Sequence, residues 1–291
     1  MNKLYPDLEK FSNYINISAS DLVEAYKIES HYHNLIKNEM DRTKRKEMYS
    51  EMYLKAHQIY NRNSVYMNSE LFSRKALLFK KELEGKSILD VGCGKGAFLN
   101  TIKKSFKVKD LVGIDVSLPE KNKLNEMSGI EFIKDDVTSF DLKRKFDVVY
   151  SNHVIEHMSN QDFPIHLESI VKHLKKGGKL IINMPNRLFG PSDVSRIIDF
   201  SYTNKIRAKG SHFNEMTYSE LIPKLKKLGF NNFRSPFPHT IIRHLIRGIR
   251  LNSEFMTYVE KSNIIMKLLH SIKINGRCRV NFEVSLISSL I

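Results

Sequence analysis

The stretch SILDVGCGKGAFLNTI, residues 87 to 102, limits the fold more tightly than any other. An apolar run leads without a spacer into Gly92-x-Gly94-x-Gly96, and a helix-forming segment follows from about Ala97. Glycines admit positive φ and let a ligand approach the backbone, while a helix N-terminus offers free N–H groups and a positive dipole end. Strand, glycine turn and helix in that order predict an anion or adenosine cradle. No Gly-Lys-Ser/Thr follows, so this is not a Walker A loop, and the Gly-x-Gly-x-x-Gly spacing of dinucleotide binders is missing too. The plain alternative is a tight strand–helix turn that holds no ligand.

Carboxylates sharpen the reading. Asp115 ends the next apolar run, LVGIDVS, where it can accept hydrogen bonds from both ribose hydroxyls, and Asp135 and Asp136 end the one after it, in FIKDDVTSF. Short Ile- and Val-rich runs separated by glycines and helix-length stretches continue from Gly85 onward, the texture of an alternating β/α sheet. Strands are expected at SILDV, DLVGIDV, IEFI, FDVVYS and GKLIINMP, with a helix at TYSELIPKLKKLG, an extended NNFRSPF and a terminal strand in RCRVNFEVSLISSL. Before Gly85 the apolar spacing is three or four from Leu22 to about Leu83, with Ser20 as the first cap. The chain therefore divides into a helical extension or lid over residues 1–84 and an α/β domain over 85–291.

Cys93 and Cys278, far apart and without a second pair, give neither a disulfide framework nor a CxxC metal site. The N-terminal residues carry polar groups every few positions and no apolar core segment, so no secretory signal is expected, and the reading is a cytoplasmic protein. The net charge of +15 favours anions, whether nucleic acid, an acidic membrane surface or a phosphorylated small molecule. Lysines solvated over the whole surface would give the same balance.

The glycine loop and the segments after it resemble the class I S-adenosylmethionine-dependent methyltransferases, in their small-molecule, ubiquinone-biosynthesis-like branch, over roughly residues 86 to 235. The resemblance implies a Rossmann-like, seven-stranded, mostly parallel sheet with helices on both faces and an antiparallel last strand. It implies S-adenosyl-L-methionine as cofactor, held by Asp90, Gly92, Cys93, Gly94 and Gly96 of the loop. Asp115 with Val116 would take the ribose, Asp136 and the Val137 backbone the adenine, and Asn152 would lie at the end of the fourth strand. A helical insertion near 238–275 departs from the family pattern.

FDVVYSNHVIEHM contains His153-x-x-Glu156-His157, the spacing by which a helix face holds zinc in a metallopeptidase. As the end of the fourth strand, the segment instead sits beside the cofactor's methyl group. Some relatives bind a divalent ion through Glu-x-x-Glu-His. Here His153 replaces the first Glu, which disfavours magnesium and would suit zinc or manganese; no metal is assigned. His157, with His153 second, is the expected catalytic base for a hydroxyl acceptor, the alternative for His157 being a capping or core histidine. His212, in KGSHFNEM, is the expected substrate residue. His31 and His33, two apart on a helix, are given no role. In TIIRHLIRGIR, residues 240 to 250, an apolar stripe of Ile241, Ile242, Leu245, Ile246 and Ile249 opposes Arg243, Arg247 and Arg250. Such a segment can pack as a lid, face a membrane or present arginines to phosphate. The expected function is O-methylation of a small molecule such as a glycan, sugar nucleotide, lipid or quinone. The alternatives are an RNA methyltransferase, disfavoured by the lack of an RNA-binding module, or a non-catalytic cofactor-binding subunit. Oligomeric state is not legible.

Overall fold

The structure, a computed structural model, describes residues 4–62, 69–118, 127–237, 243 and 245–291. The sheet strands are β1 Ser87–Val91, β2 Asp110–Asp115, β3 Glu131–Lys134, β4 Phe146–Asn152, β5 Leu174–Met184, β6 Phe230–Pro236 and β7 Arg250–Asn252, and then β10 Val284–Leu290. They run in the order β3-β2-β1-β4-β5-β10-β6-β7. β1 is parallel to β2 and β4, while β10 lies antiparallel between β5 and β6. This is the expected Rossmann-like sheet, with the short edge strand β7 added from the insertion. A separate hairpin joins β8 Lys273–Ile274 to β9 Arg277–Cys278. The terminal strand thus begins at Val284, not at Arg277 as the alternation of its sequence implied.

Both faces of the sheet are buried, and the strands show why their runs are apolar throughout. Leu89, Val91, Val149 and Ile182 face one core, with Phe163, Leu167 and Ile170 of the helix Asp162–His173. Ile88, Val148, Tyr150 and Ile181 face the other, with Phe98, Leu99 and Ile102 of the helix Ala97–Ser105. Successive residues point to opposite faces, so one strand feeds two cores. The helix Tyr218–Lys227 starts on a capping box of Thr217 and Glu220, matching its expected bounds within two residues.

The N-terminal extension consists of α1 Leu8–Ile15, α2 Ala19–Asn38, α3 Arg42–Arg62, α4 Ser69–Leu78 and α5 Lys80–Leu83. The helical pattern starts earlier than Leu22, and the cap of α2 is Ser18, whose side chain accepts from the Asp21 N–H, rather than Ser20. Phe11, Ile17, Leu22, Ala25 and Ile59 make their own core with Val194, Ile197 and Phe200 from the segment after β5. α3 is mostly polar, yet Arg45 is buried in a bidentate pair with Asp162 at 2.6 and 2.9 Å. That pair and Tyr49, which accepts from the Ser159 N–H at 2.6 Å, fasten α3 to the turn beyond β4.

Residues 240–242 and 244 of the expected basic amphipathic segment lie outside the described residues. In the part described, Arg247 is exposed as expected, but Arg243 is buried and Leu245 is exposed, against the expected stripe. Arg250 reaches Glu82 at 2.8 and 3.0 Å, and Arg243 lies 3.9 Å from Glu283. Carboxylates distant in sequence draw these arginines inward. None of the helices among the described residues is long and apolar enough to cross a membrane.

Candidate active site

β1 delivers Asp90 to the glycine loop, which turns with positive φ at Gly92, Gly94 and Gly96. At Gly92 an added Cβ would stand 2.3 Å from Val154 Cγ2, whereas a Cβ on Gly94 would meet nothing within 4 Å. Gly92 is thus required for packing, and Gly94 leaves the backbone open to a ligand. The Gly94 N–H donates to Asp115 Oδ2 at 2.8 Å, and the Ser117 N–H donates to Oδ1 at 2.9 Å. Strand end and loop are therefore held in one piece. Burial, then the charge of Asp115, raises the Asp90 pKa to about 8. Cys93 is buried and its thiol is pushed upward by burial, so it serves packing rather than nucleophilic chemistry. Val116 is half exposed at the loop rim.

The residues expected to meet an adenine carry partners the sequence did not suggest. Asp136 accepts from Arg42 at 3.0 Å, lies 3.4 Å from Lys46, and bonds the Thr138 N–H and hydroxyl. Burial would raise its pKa, but Thr138 and then the two cations hold it low. The Val137 carbonyl is bonded to the His166 ring at 2.7 Å. Asn152, at the end of β4, accepts from Lys75 Nζ at 2.8 Å, and Lys75 is itself a buried lysine.

The His153–His157 segment is not the face of an α-helix. His153 sits at φ 55°, and Ile155–His157 form one 3₁₀ turn, so the two histidines do not share a side as a metallopeptidase pair would. His153 Nδ1 instead bonds Glu156 Oε1 at 2.8 Å. His157 turns toward His212, with ring centroids 4.7 Å apart. The loop that carries His212 is clamped by the Phe213 and Asn214 N–H groups, which donate to the Glu156 carbonyl at 2.6 and 3.1 Å. Residues 55 apart in sequence thus become one cluster, and periodicity carries no signal for such a contact.

Partners fix the state of each ring. The Ser211 carbonyl can only accept, so His157 Nδ1 carries the hydrogen in that 3.1 Å bond and Nε2 keeps its lone pair. Burial, then His212, lowers the His157 pKa to about 4. His212 Nδ1 bonds Glu215 Oε1 at 2.7 Å, and although burial would lower its pKa, Glu215 raises it to about 9. Burial would likewise raise Glu156, but the bond from His153 and the neighbouring His157 and His212 bring it down to about 2.

Among the described residues the cluster also leaves a buried carboxylate oxygen, Glu156 Oε2, without a hydrogen-bond partner. One ligand atom each from Glu156, His157 and His212 lies within 4.8 Å of the others. The backbone carbonyl behind His157 and the carboxylate behind His212 are the supports that orient metal-binding imidazoles. One carboxylate and two imidazoles suit zinc or manganese better than magnesium.

α3 closes over the cluster. The Tyr53 ring meets His157 at 6.0 Å between centroids, and the charges of Glu156 and Asp115 both act on its hydroxyl, whose pKa burial raises. Glu29, Tyr53, Tyr60 and His157 line a cavity of about 250 Å³, and His212 lines another of about 220 Å³ with Lys37, Arg187 and Arg207. Tyr53, Arg187 and Arg207, which line these cavities, and Lys75, which bonds Asn152, adjoin the candidate site and were not singled out by the sequence. Each lies on a segment whose own pattern reads as a solvated helix or loop. His33 bonds the Gly210 carbonyl at 2.9 Å, stacks on Phe213 and lines the second cavity.

A family model described as a methyltransferase domain matches residues 64–235, more than half of the chain. A ubiquinone biosynthesis O-methyltransferase from Pelagibacter ubique is 32% identical over 174 residues, covering 53% of this chain and 68% of that one. A phosphoethanolamine N-methyltransferase from Triticum aestivum is 33% identical over 155 residues, and the match covers 51% of this chain and 28% of that one. With (S)-coclaurine N-methyltransferase from Papaver somniferum the identity is 27% over 105 residues, 34% of this chain and 29% of that enzyme. The chain thus spans less than a third of the length of those two N-methylating relatives. Among solved structures, an S-adenosylmethionine-dependent methyltransferase from Archaeoglobus fulgidus superposes with a TM-score of 0.47 at 19% identity, covering 76% of this chain and 94% of that one.

Proposed function

The chain belongs to the S-adenosylmethionine-dependent methyltransferase family, and from that premise we propose that it methylates a hydroxyl group of a small molecule. S-adenosylmethionine supplies the activated methyl group as a sulfonium. Asp115, the open backbone at Gly94 and the strand end at Asn152 are the groups suited to hold it, and the N-terminal helices act as the lid.

The observation that carries an oxygen acceptor is the free Nε2 of His157. Attack by a hydroxyl requires its proton to leave, and Nε2 can take it as the oxygen lone pair bonds to the methyl carbon and the carbon–sulfur electrons stay on sulfur. A neutral amine attacks with its own lone pair and needs no base in that step. Beyond the proton, the gain comes from holding the two reactants in line, a task for Tyr53 and the helix that carries it.

The unpartnered Glu156 oxygen favours a second use of the same cluster. A divalent ion bound by Glu156, His157 and His212 would polarise the acceptor oxygen and lower its pKa. Nε2 cannot both bind an ion and accept a proton, so the two uses exclude each other. Dialysis against a chelator distinguishes them, because base catalysis survives it.

The test incubates the protein with methyl-labelled S-adenosylmethionine and a cell extract separated into lipid, small polar, RNA and protein fractions, beside Asp115→Ala. Label in a small-molecule fraction that disappears in the variant is expected. Label in RNA would replace the acceptor class, and cofactor binding without transfer to any fraction would leave a non-catalytic subunit.

A further inference from the structure

Beside His212 the 220 Å³ cavity is walled by residues that bring mostly one sign of charge. Lys37 comes from α2, Arg187 from the turn after β5, and Arg207 from the loop before His212. Glu215 is the single carboxylate among the described lining residues, and its Oε1 bonds His212 Nδ1 and accepts from the Ser192 N–H, both at 2.7 Å. Arg187 spends Nε and one terminal nitrogen on Glu220, at 3.2 and 2.5 Å. Among the described residues neither Arg207 nor Lys37 has an ion-pair partner. Burial and then the like charge of Arg187 lower the Arg207 pKa, outweighing Glu220 and Glu215, which raise it, so the two guanidiniums oppose each other across the site. Collecting like charges in a concave place is costly unless an anion occupies it.

We propose that this cavity binds a phosphoryl group on the methyl acceptor, through Arg207, Lys37 and the free edge of Arg187. The inference rests on the methyl-transfer reading given above and narrows its substrate to a phosphorylated small molecule. Guanidinium forks match the oxygens of a tetrahedral oxyanion, and three cations suit a dianion better than a carboxylate. The volume is below the ~300 to 1,000 Å³ of pockets that enclose a whole drug-sized ligand. It fits a headgroup, with the rest of the acceptor extending past His212 toward His157. His212 then stands between the anchored phosphoryl group and the hydroxyl that is methylated. An acceptor anchored in this way is held at a fixed distance from the base.

The test is calorimetric titration of the full chain at low salt with glycerol 3-phosphate, inorganic phosphate and glycerol. Wild type is compared with Arg207→Ala and with Lys176→Ala, which removes the same unit charge at the opposite sheet edge. Glycerol 3-phosphate is expected to bind at one site and more tightly than inorganic phosphate, with glycerol silent. Arg207→Ala should weaken binding about tenfold or more, and Lys176→Ala less than about twofold. Equal losses in the two variants would reduce the effect to bulk charge, and absence of binding to wild type would end the proposal. Inorganic phosphate binding as tightly as the ester would make this a free-phosphate site, and an Arg207-dependent preference for a short RNA would make it a nucleic-acid site; either result overturns the inference. S-adenosylhomocysteine is titrated into the same samples. Its failure to bind counts against the methyl-transfer reading and leaves the phosphoryl site standing, whereas failure of the phosphate ester alone counts only against the site.

Discussion

Glu29 offers a clean measurement of how the N-terminal helices are held over the site. Its carboxylate is buried, with Oε1 accepting from the Tyr60 hydroxyl at 2.6 Å and Oε2 from the Ser211 N–H at 2.7 Å. Burial, then the charge of Asp193, moves its pKa from 4.5 to about 7. The folded state therefore holds the proton more tightly than the unfolded chain does. Stability from this group is complete below the unfolded value of 4.5 and is lost as pH rises through about 7. At ~1.36 kcal/mol per pH unit the loss amounts to roughly 3 kcal/mol across that window. Glu29→Gln reproduces the protonated form, since its amide oxygen can accept from Ser211 while its NH₂ donates to Tyr60. Urea unfolding followed by far-UV circular dichroism between pH 5 and 8 should show wild type losing roughly 2 to 3 kcal/mol more than Glu29→Gln. Hydrogen exchange should place the loss at residues 193–211 and in α2. A difference between the two proteins that stays flat over this range refutes the reasoning, because Glu29 would then be ionised throughout.

Arg45→Ala leaves Asp162 charged and buried, and should cost ~3–5 kcal/mol in urea; a loss under ~1 kcal/mol would mean the pair is solvated in solution. His157→Ala should lower kcat ~10²- to 10⁴-fold while S-adenosylhomocysteine binds as before, and an unchanged kcat would remove it from the chemistry. Gly92→Ala puts a methyl group against Val154 at positive φ, combining ~1–3 kcal/mol of overpacking with backbone strain. The double variant with Val154→Ala should recover the overpacking part alone in thermal melts, and no recovery would place the cost in the backbone.

How much of the chain is legible before folding depends on the distance over which each cause acts. β1, its loop and the next helix rest on neighbours in sequence, so SILDV and the start at Ala97 match the observed elements. The place of Asp115 at the end of its strand was legible for the same reason, because the run LVGID is local. The partnership of His157 with His212 depends on a loop returning across the carboxyl edge, and only the tertiary fold supplies it. The insertion misled for a related reason. An alternation of isoleucines and arginines implies an apolar stripe facing inward, but Glu82 and Glu283 give Arg250 and Arg243 buried partners, and Leu245 is left outside.

α3 shows most clearly why half of the site was hidden. Arg42, Arg45, Tyr49 and Tyr53 are spaced three or four apart and so share one face of the helix. That face buries charge and hydroxyl groups rather than a hydrophobic stripe, and a sequence such as RTKRKEMYSEMY reads as solvated. Along it the helix touches Asp136 beyond β3, then Asp162 and Ser159 beyond β4, then His157. One helix therefore joins Asp136 to the histidine cluster, and a rise of 1.5 Å per residue puts Arg42 and Tyr53 about 16 Å apart. A shift of α3 large enough to free Asp136 must also move Tyr53 from His157, because helices move as units.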